Sequence, residues 1–465
     1  MSDGAWNRSR SRRDLLKLGA GIAAGGVVSQ VLAACSAPDG SSVAPTLAGS
    51  AGEASGLAGT ITALIGSGGD PTVAPPLMKV YDDFKALNPG VEWDIRSLPS
   101  AGAEWDRIAR AAIAAGEPVD LVFLNGAQVR AWVRDGLLAD LGADAEMATV
   151  LNRVPERFHL TGPGETTARA FPLAVTRGIH TSGLFYNKAL LDRAQIEPPR
   201  TFVDLRASVA PLAALGVAAL VHPAGEVSWN QMLLTWVLPM VAERAGDPIE
   251  FAESTIRGDV RYDSPEWTEA FELIAGLRAS GVLLEGSGAT DYATMQQLLL
   301  QGKVAMTYNG SWLLPHLLGG APSGAFELHV APPPVIEEAS KGRPILVWNG
   351  FALPAETSRS RDIVYAFLEY ASRPEVDKAV VAGMQAYSPL ADSNTAIESE
   401  ISREFLPLLE DAIPPLDWLW EPEITAEIDN QIQALVKGDT HAGTVGTAIQ
   451  AVADGLRSSG RSFYP

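Results

Sequence analysis

Short strand and helix patterns alternate along the first part of this chain, and this alternation limits the fold more than any other feature. Three β-rich runs, at residues 60–66, 91–95 and 119–124, are separated by two stretches with helical spacing of apolar residues, at 73–87 and 105–113. Crossovers this short join parallel neighbours by right-handed connections. The pattern therefore predicts an open, mainly parallel sheet with helices on its faces.

The same alternation returns after residue 184. We predict strands at 184–186 and 304–307, helices at 202–215 and 264–277, and a mostly helical segment from residue 401. The 465 residues are long enough for two to three domains, at roughly 150 residues each. The sequence thus predicts an α/β protein with two lobes.

Composition excludes several classes of protein. A formal net charge of −20 does not suit a protein that must neutralise nucleic-acid phosphates. A single cysteine cannot form an intramolecular disulfide or a cysteine-rich metal site, and the six histidines lack the spacing of a catalytic zinc site. We therefore expect no nucleic-acid partner, no metal and no cofactor.

Residues 1–34 have the pattern of an export signal. An apolar run at 18–34 follows a positive segment, and it ends in small residues. The positive segment contains Arg8, Arg10, Arg12, Arg13 and Lys17. We predict that residues 1–34 are a signal peptide. Residues 36–59 are mainly Ser, Ala, Gly, Pro and Thr, so residues 35–59 should form a flexible tether.

Two motifs within the signal refine this prediction. Leu32-Ala33-Ala34-Cys35 resembles the bacterial lipobox, in which the cysteine is lipidated and becomes the first mature residue. Residues 11–17 resemble the twin-arginine export motif, but Leu15 stands where Phe is most usual, which leaves the general secretory route open. The resemblance implies an exported lipoprotein, anchored to the outer face of the cell membrane through Cys35.

Four stretches after residue 60 contain motifs that can be compared with known families. They are Phe84 to Val91 with its Asn88-Pro89-Gly90 step, Glu117 to Phe123, Leu184 to Leu191, and Gly302 to Met306 followed by Asn309-Gly310-Ser311-Trp312. In type and in order they resemble the extracellular solute-binding proteins of ABC importers, in the carbohydrate-binding group that includes maltose-binding protein. In the third, Ala189 replaces the usual Asp, which puts a local cap in doubt.

This resemblance implies a two-lobed periplasmic-binding-protein fold of type II, with a ligand cleft between the lobes. The first lobe would comprise residues 60–172 and 350–392, and the second residues 173–349 and 393–465. The protein would be a monomeric, non-enzymatic binding protein that closes by hinge motion on a mono- or oligosaccharide. It would then deliver this solute to the membrane subunits of an ABC permease.

Sugar sites combine flat aromatic surfaces with directional polar groups, and both are available near the ends of predicted elements. Trp418 and Trp420 alternate, so at most one should face the cleft, and Trp267 is expected in the core. Asp70 also suits a helix N-cap. The candidate ligand-binding residues are Asp70, Asn125, His180, Glu226, Trp229, Trp312, Trp348, Asn349, Trp418 and Trp420.

Two other functions remain open from the sequence. The same fold could bind glycerol phosphate, a polyamine or a peptide, and Arg177 is the cation available for a phosphorylated solute. A secreted glycoside hydrolase is less favoured, because sequence alone does not pair two carboxylates at the required distance. Nucleotide-binding loops and the Gly-x-Ser-x-Gly elbow of hydrolases are absent from the sequence.

Overall fold

A computed structural model describes residues 56–66, 74–98, 102–162, 165–320, 327–338, 340–356, 358–384 and 386–460. The predicted signal peptide, Cys35, nearly all of the tether and the candidate Asp70 lie outside these residues.

The strands of the described residues form one mixed sheet in the order β2-β1-β3-β9-β5-β7-β6, with β4 paired to β9 and β8 paired to β5. Their bounds are β1 (Ala58–Gly66), β2 (Gly90–Leu98), β3 (Leu121–Asn125), β4 (Ala170–Phe171), β5 (Ile179–Asn187), β6 (Ala218–Leu220), β7 (Val304–Gly310), β8 (Leu328–Ala331) and β9 (Leu346–Ala352).

Helices cover the sheet, as the α/β prediction requires. They are α1 (Pro75–Leu87), α2 (Gly102–Ala114), α3 (Gly126–Arg134), α4 (Ala148–Leu151), α5 (Lys188–Ala194), α6 (Phe202–Ala213), α7 (Gln231–Ala242), α8 (Pro248–Arg257), α9 (Pro265–Ala279), α10 (Tyr292–Leu300), α11 (Leu314–Gly320), α12 (Arg361–Ala371), α13 (Pro374–Met384), α14 (Glu400–Glu404), α15 (Leu406–Glu410), α16 (Pro422–Lys437) and α17 (Ala442–Ser458). None of the described helices has the length and apolar character needed to cross a membrane.

Strand directions are more mixed than the sequence suggested. β1 runs parallel to β2 and β3, and β6 runs parallel to β7, as expected for crossovers through helices. β9, however, is antiparallel to β3, β4 and β5, and β5 is antiparallel to β7 and β8. The expectation of a mainly parallel sheet fails at these strands, because β5 and β9 carry the chain through the sheet in opposite directions.

β9 joins two regions of the sheet. Its residues Leu346–Trp348 pair with β5, and its residues Asn349–Ala352 pair with β3. One hydrophobic cluster surrounds β1 and β3 with α1, α12 and α13, and a second packs α7, α9, α16 and α17 against β6 and β7. The predicted lobe boundary between residues 349 and 350 lies within β9, and the lobe boundaries stay a prediction.

Candidate functional site

A cavity of about 690 Å³ opens where β3 and β7 end and where β9 passes between them. Ligands of open α/β sheets bind at such strand ends. Six of the ten candidate residues line it: Asn125, His180, Trp229, Trp312, Asn349 and Trp418. Asn125 and Asn349 are partners in the β3–β9 register, and His180 lies on the adjacent β5. Sheet pairing therefore brings together residues that are more than 200 positions apart.

Three stacked rings form one wall of this cavity, and we call Trp229, Tyr292 and Trp312 the aromatic cluster. The ring centroids of Trp229 and Tyr292 lie 4.4 Å apart with an interplanar angle of 23°. Those of Trp229 and Trp312 lie 6.2 Å apart at 29°. The Trp312 Nε1–H donates to the Tyr292 hydroxyl (3.0 Å), which donates to Asn309 Oδ1 (3.1 Å). These bonds fix the orientation of the rings.

Glu226 does not line the cavity but supports the aromatic cluster from behind. Its carboxylate accepts the Trp229 Nε1–H and the Tyr292 backbone N–H, both at 3.2 Å. These two bonds make Glu226 a support for the rings, and Glu226 is not among the residues that line the cavity. Its selection as a ligand contact is therefore not supported by this geometry.

Trp418 adds a second aromatic side chain to the lining of this cavity. It lies in the short turn Leu416–Leu419, and its indole packs on the backbone of Gly126 at the start of α3. The Trp348 ring meets Trp418 edge-on at 5.0 Å, but Trp348 is only 3% exposed and does not line the cavity. Trp348 thus packs against Trp418 instead of facing the cavity, because alternate residues of β9 point to opposite faces and the Trp348 side chain points into the core.

Trp420 also points away from the 690 Å³ cavity. It is 5% exposed and packs against Trp267 at 5.7 Å. Trp267 itself is fully buried, as the sequence predicted. The alternation of Trp418 and Trp420 therefore places Trp418 alone of the two in the wall of this cavity.

His180 is a neutral polar group in the wall. Its Nδ1 lies 3.1 Å from Ser311 Oγ, and its ring meets Trp312 edge-on at 6.0 Å. Burial, together with the neighbouring positive charge of Arg177, lowers the His180 pKa from 6.5 to about 3. The imidazole is therefore uncharged at neutral pH and acts only through hydrogen bonds.

Several cavity residues were not among the sequence-based candidates. Tyr292 is the first residue of α10, and the N-cap Asp291 marks that helix start without indicating that Tyr292 faces a cavity. Gln231 and Asp417 line the cavity as well, and burial raises the Asp417 pKa to about 7. Arg177, which the sequence identified as a possible phosphate ligand, lines the wall in a left-handed backbone conformation with φ of 61°.

A second cavity of about 470 Å³ also has Trp418 in its wall and is lined by residues of α3 and α16. The two cavities share Asn125, Gln231, Asp417 and Trp418. Arg134 of α3 and Glu421, the N-cap of α16, form an ion pair of 2.7 Å at its edge. Within the described part of the chain, no group of three or more His, Cys, Asp and Glu side chains is placed to hold a metal ion.

Comparison with known proteins places this geometry in context. A family model described as bacterial extracellular solute-binding protein matches residues 68–378. No curated protein sequence matches the chain.

Solved structures of low sequence identity share the fold, which confirms the predicted α/β periplasmic-binding-protein class. A chitin oligosaccharide binding protein matches with a TM-score of 0.73 at 18% identity, over 86% of this chain and 99% of its own. The GacH receptor of Streptomyces glaucescens GLA.O was solved unliganded and with acarbose and an acarbose homolog. It matches with a TM-score of 0.69 at 21% sequence identity, over 86% of this chain and 98% of its own. RafE of Streptococcus pneumoniae in complex with raffinose matches with a TM-score of 0.69 at 16% sequence identity, over 86% of this chain and 100% of its own.

Proposed function

The chain belongs to the bacterial extracellular solute-binding protein family of ABC transporters, whose members bind solutes without transforming them, and we propose that its ligand is a carbohydrate. The observation that carries the proposal is the aromatic cluster of Trp229, Tyr292 and Trp312, which lines a 690 Å³ cavity together with Trp418. Sugar rings present apolar C–H faces that pack on such aromatic surfaces.

The polar groups of the cavity support the same ligand class. Asn125, Asn349 and the neutral His180 offer hydrogen bonds without a fixed charge, which suits hydroxyl groups. A cavity of this size and mixed lining is typical of small-molecule sites. Three proteins of similar structure are a receptor solved with acarbose, a chitin oligosaccharide binding protein and a protein solved with raffinose, which agrees with a carbohydrate ligand here.

Capture would proceed by closure of two lobes around the solute. The cavity draws on β3, β5, β7 and β9, and β9 is the strand that pairs with both β3 and β5. Small changes in the backbone angles of β5 and β9 would rotate one side of the cavity toward the other. Ligand shifts this equilibrium by binding the closed state more tightly than the open one. The closed protein would then be recognised by the permease subunits.

Export and anchoring complete the proposal. Cleavage before Cys35 and lipidation of its thiol would hold the mature, monomeric protein at the outer face of the membrane. Replacing Cys35 by Ser should move the protein from the membrane fraction into the medium, which fractionation and immunoblotting would measure. Retention of Cys35→Ser protein in the membrane would contradict the lipid anchor.

A ligand screen tests the function directly. The mature protein should gain thermal stability with mono- or oligosaccharides in a thermal-shift assay, and calorimetry should then give a one-to-one complex. Glycerol phosphate, polyamines and peptides serve as competing ligand classes. Stabilisation by one of those classes, with none by any saccharide, would contradict a carbohydrate ligand. The saccharides should be recovered intact after the assay.

A further inference from the structure

The second cavity has a charge pattern that the carbohydrate proposal alone does not explain. Two carboxyl groups, Asp417 and Asp429, line it. Asp429 is only 6% exposed, and one of its oxygens accepts the Gln231 backbone N–H at 2.7 Å. Within the described ranges, neither carboxyl has an Arg, Lys or His nitrogen within 4 Å. Burying carboxylates without a cation is costly.

The other charged groups of this cavity are largely paired. Arg134 pairs with Glu421 at 2.7 Å, and Asp106 pairs with Arg110 at 2.7 Å. Arg130 also lines the wall from α3. Once the pairs are set aside, Arg130 is the remaining guanidinium of the wall, and no ion pair joins it to Asp417 or Asp429 among the described residues. Both carboxyl groups would therefore ionise together only if a further positive charge were bound beside them.

Two indole rings indicate what would carry that charge. Trp418 and Trp420 both line the second cavity, and indole faces attract cations. Trp420 is 5% exposed, and its Nε1–H has no acceptor among the described residues. A cation held by the carboxyl groups would lie beside these rings.

We infer that the second cavity is a subsite for a protonated amino group carried by the saccharide, held between Asp417 and Asp429 beside Trp418. This inference rests on the proposed carbohydrate function and names its ligand class as aminated sugars. Because Asn125, Gln231, Asp417 and Trp418 line both cavities, a ligand seated on the aromatic cluster can extend past Trp418 to this subsite.

The protonation of the two carboxyl groups supports this assignment. Burial raises the pKa of Asp417 to about 7 and that of Asp429 to about 8, and the Asp417 charge contributes to the shift of Asp429. The groups that face them on the second-cavity side are Asp106, Arg130, Arg134 and Glu421. On the first-cavity side, Asp417 shares the wall with Arg177, His180 and His316. A bound ammonium would favour the ionised carboxylates, so binding releases protons.

The test compares aminated sugars with their neutral counterparts. The probes are glucosamine, galactosamine, mannosamine and the β-1,4-linked glucosamine disaccharide, each paired with its N-acetylated and its hydroxyl form. At pH 7 we expect at least one amine to bind the mature protein tenfold or more tightly than both counterparts in calorimetry. At pH 5, where both carboxyl groups are protonated, this preference should shrink.

Two variants locate the effect. Asp429→Asn and Asp417→Asn should each lose the amine preference, while Asn at position 429 keeps an oxygen that accepts the Gln231 N–H. Glu423 is exposed on α16, the helix that contains Asp429, and does not line the cavity, so Glu423→Gln should keep the amine preference. Because the readout is a ratio of affinities in one protein, a general loss of stability does not imitate it.

The outcomes separate this inference from the function on which it rests. Neutral sugars that bind as tightly as every amine would overturn the amine subsite and leave the carbohydrate proposal standing. An amine preference that survives both Asp→Asn changes would also overturn it. No binding of any saccharide, charged or neutral, would overturn both proposals.

Discussion

The indole of Trp418 lies directly on the backbone of Gly126. A Cβ atom added at residue 126 would lie 2.1 Å from Cε3 of Trp418, far closer than real Cβ contacts allow. Gly126 is the first residue of α3, and the preceding Asn125 caps that helix by accepting the Gln128 N–H at 3.0 Å. The absence of a side chain at Gly126 therefore lets the Trp418 ring, and with it the turn Leu416–Leu419, lie close to the end of β3.

The change Gly126→Ala should displace Trp418 and weaken ligand binding. The added methyl group overlaps the ring, so the indole must move away from its place between the two cavities. We expect an affinity loss of about tenfold, measured by calorimetry with the saccharide found in the screen, since about 1.4 kcal/mol corresponds to that factor. Gly276→Ala is the control, because a Cβ atom there meets open space within α9. Equal affinity of Gly126→Ala and wild-type protein would contradict a role for the Trp418 position.

Trp312→Ala should remove one of the three rings of the aromatic cluster. The ring stacks with Trp229 and lies in the cavity wall, so its loss should cost a few kcal/mol of binding free energy, as truncation of a buried aromatic contact does. Trp312→Phe keeps an aromatic face and should recover part of the affinity. Calorimetry on the folded variants measures both. A folded Trp312→Ala protein with wild-type affinity would exclude Trp312 from the site.

Tyr292→Phe tests whether the orientation of Trp312 matters apart from its presence. The variant keeps the ring that stacks on Trp229 but leaves the Trp312 Nε1–H without its acceptor. We expect several-fold weaker binding, because an unpaired buried donor costs about 1–3 kcal/mol and the ring is free to turn.

The control for this change is Tyr365→Phe. The Tyr365 hydroxyl also donates a partly buried hydrogen bond, at 2.7 Å to Asp144, but Tyr365 does not line the cavity. This variant should lose stability in urea unfolding and keep the wild-type affinity. A loss of affinity in Tyr365→Phe equal to that in Tyr292→Phe would show that the effect on binding is only a general loss of stability.

Local sequence patterns were sufficient to predict the α/β fold class, because the periodicities of strands and helices depend on residues that are near in sequence. They also indicated Trp312, which follows a predicted strand, and the pair Trp418 and Trp420, which precede the C-terminal helix. They did not separate Trp418 from Trp420, or reveal that Trp348 faces the core, because those orientations depend on packing between distant segments. Tyr292 meets Trp229 across 63 positions (292 − 229), and no local pattern encodes that contact.

Sequence patterns also did not predict that β9 runs antiparallel to its neighbours. Alternating elements predict parallel neighbours when consecutive strands pair, as β1 does with β2. β9 pairs instead with β3 and β5, which precede it by more than 150 residues, and such long-range pairing carries no periodic signal.

Asp429 should make the protein less stable as pH rises toward 8. Its pKa is about 8 in the folded protein and near 3.8 in the unfolded chain, so between these values the folded state binds more protons. The free energy of unfolding therefore falls as pH rises through this window. His180 and His222 act in the opposite sense, because a folded pKa of about 3 against 6.5 costs stability only as pH falls below 6.5.

Measurements between pH 7 and 8 therefore report mainly the carboxyl contribution, because a histidine with a pKa of 6.5 in the unfolded chain is mostly neutral there. Urea unfolding should show the wild-type free energy of unfolding decreasing by up to about 1.4 kcal/mol per pH unit for each such group, and Asp429→Asn should flatten this slope. Glu423→Gln, exposed on the same helix, should retain it. Parallel pH profiles for wild-type and Asp429→Asn protein would mean that Asp429 does not titrate in this window, which would contradict its place as a buried carboxyl without a neutralising cation.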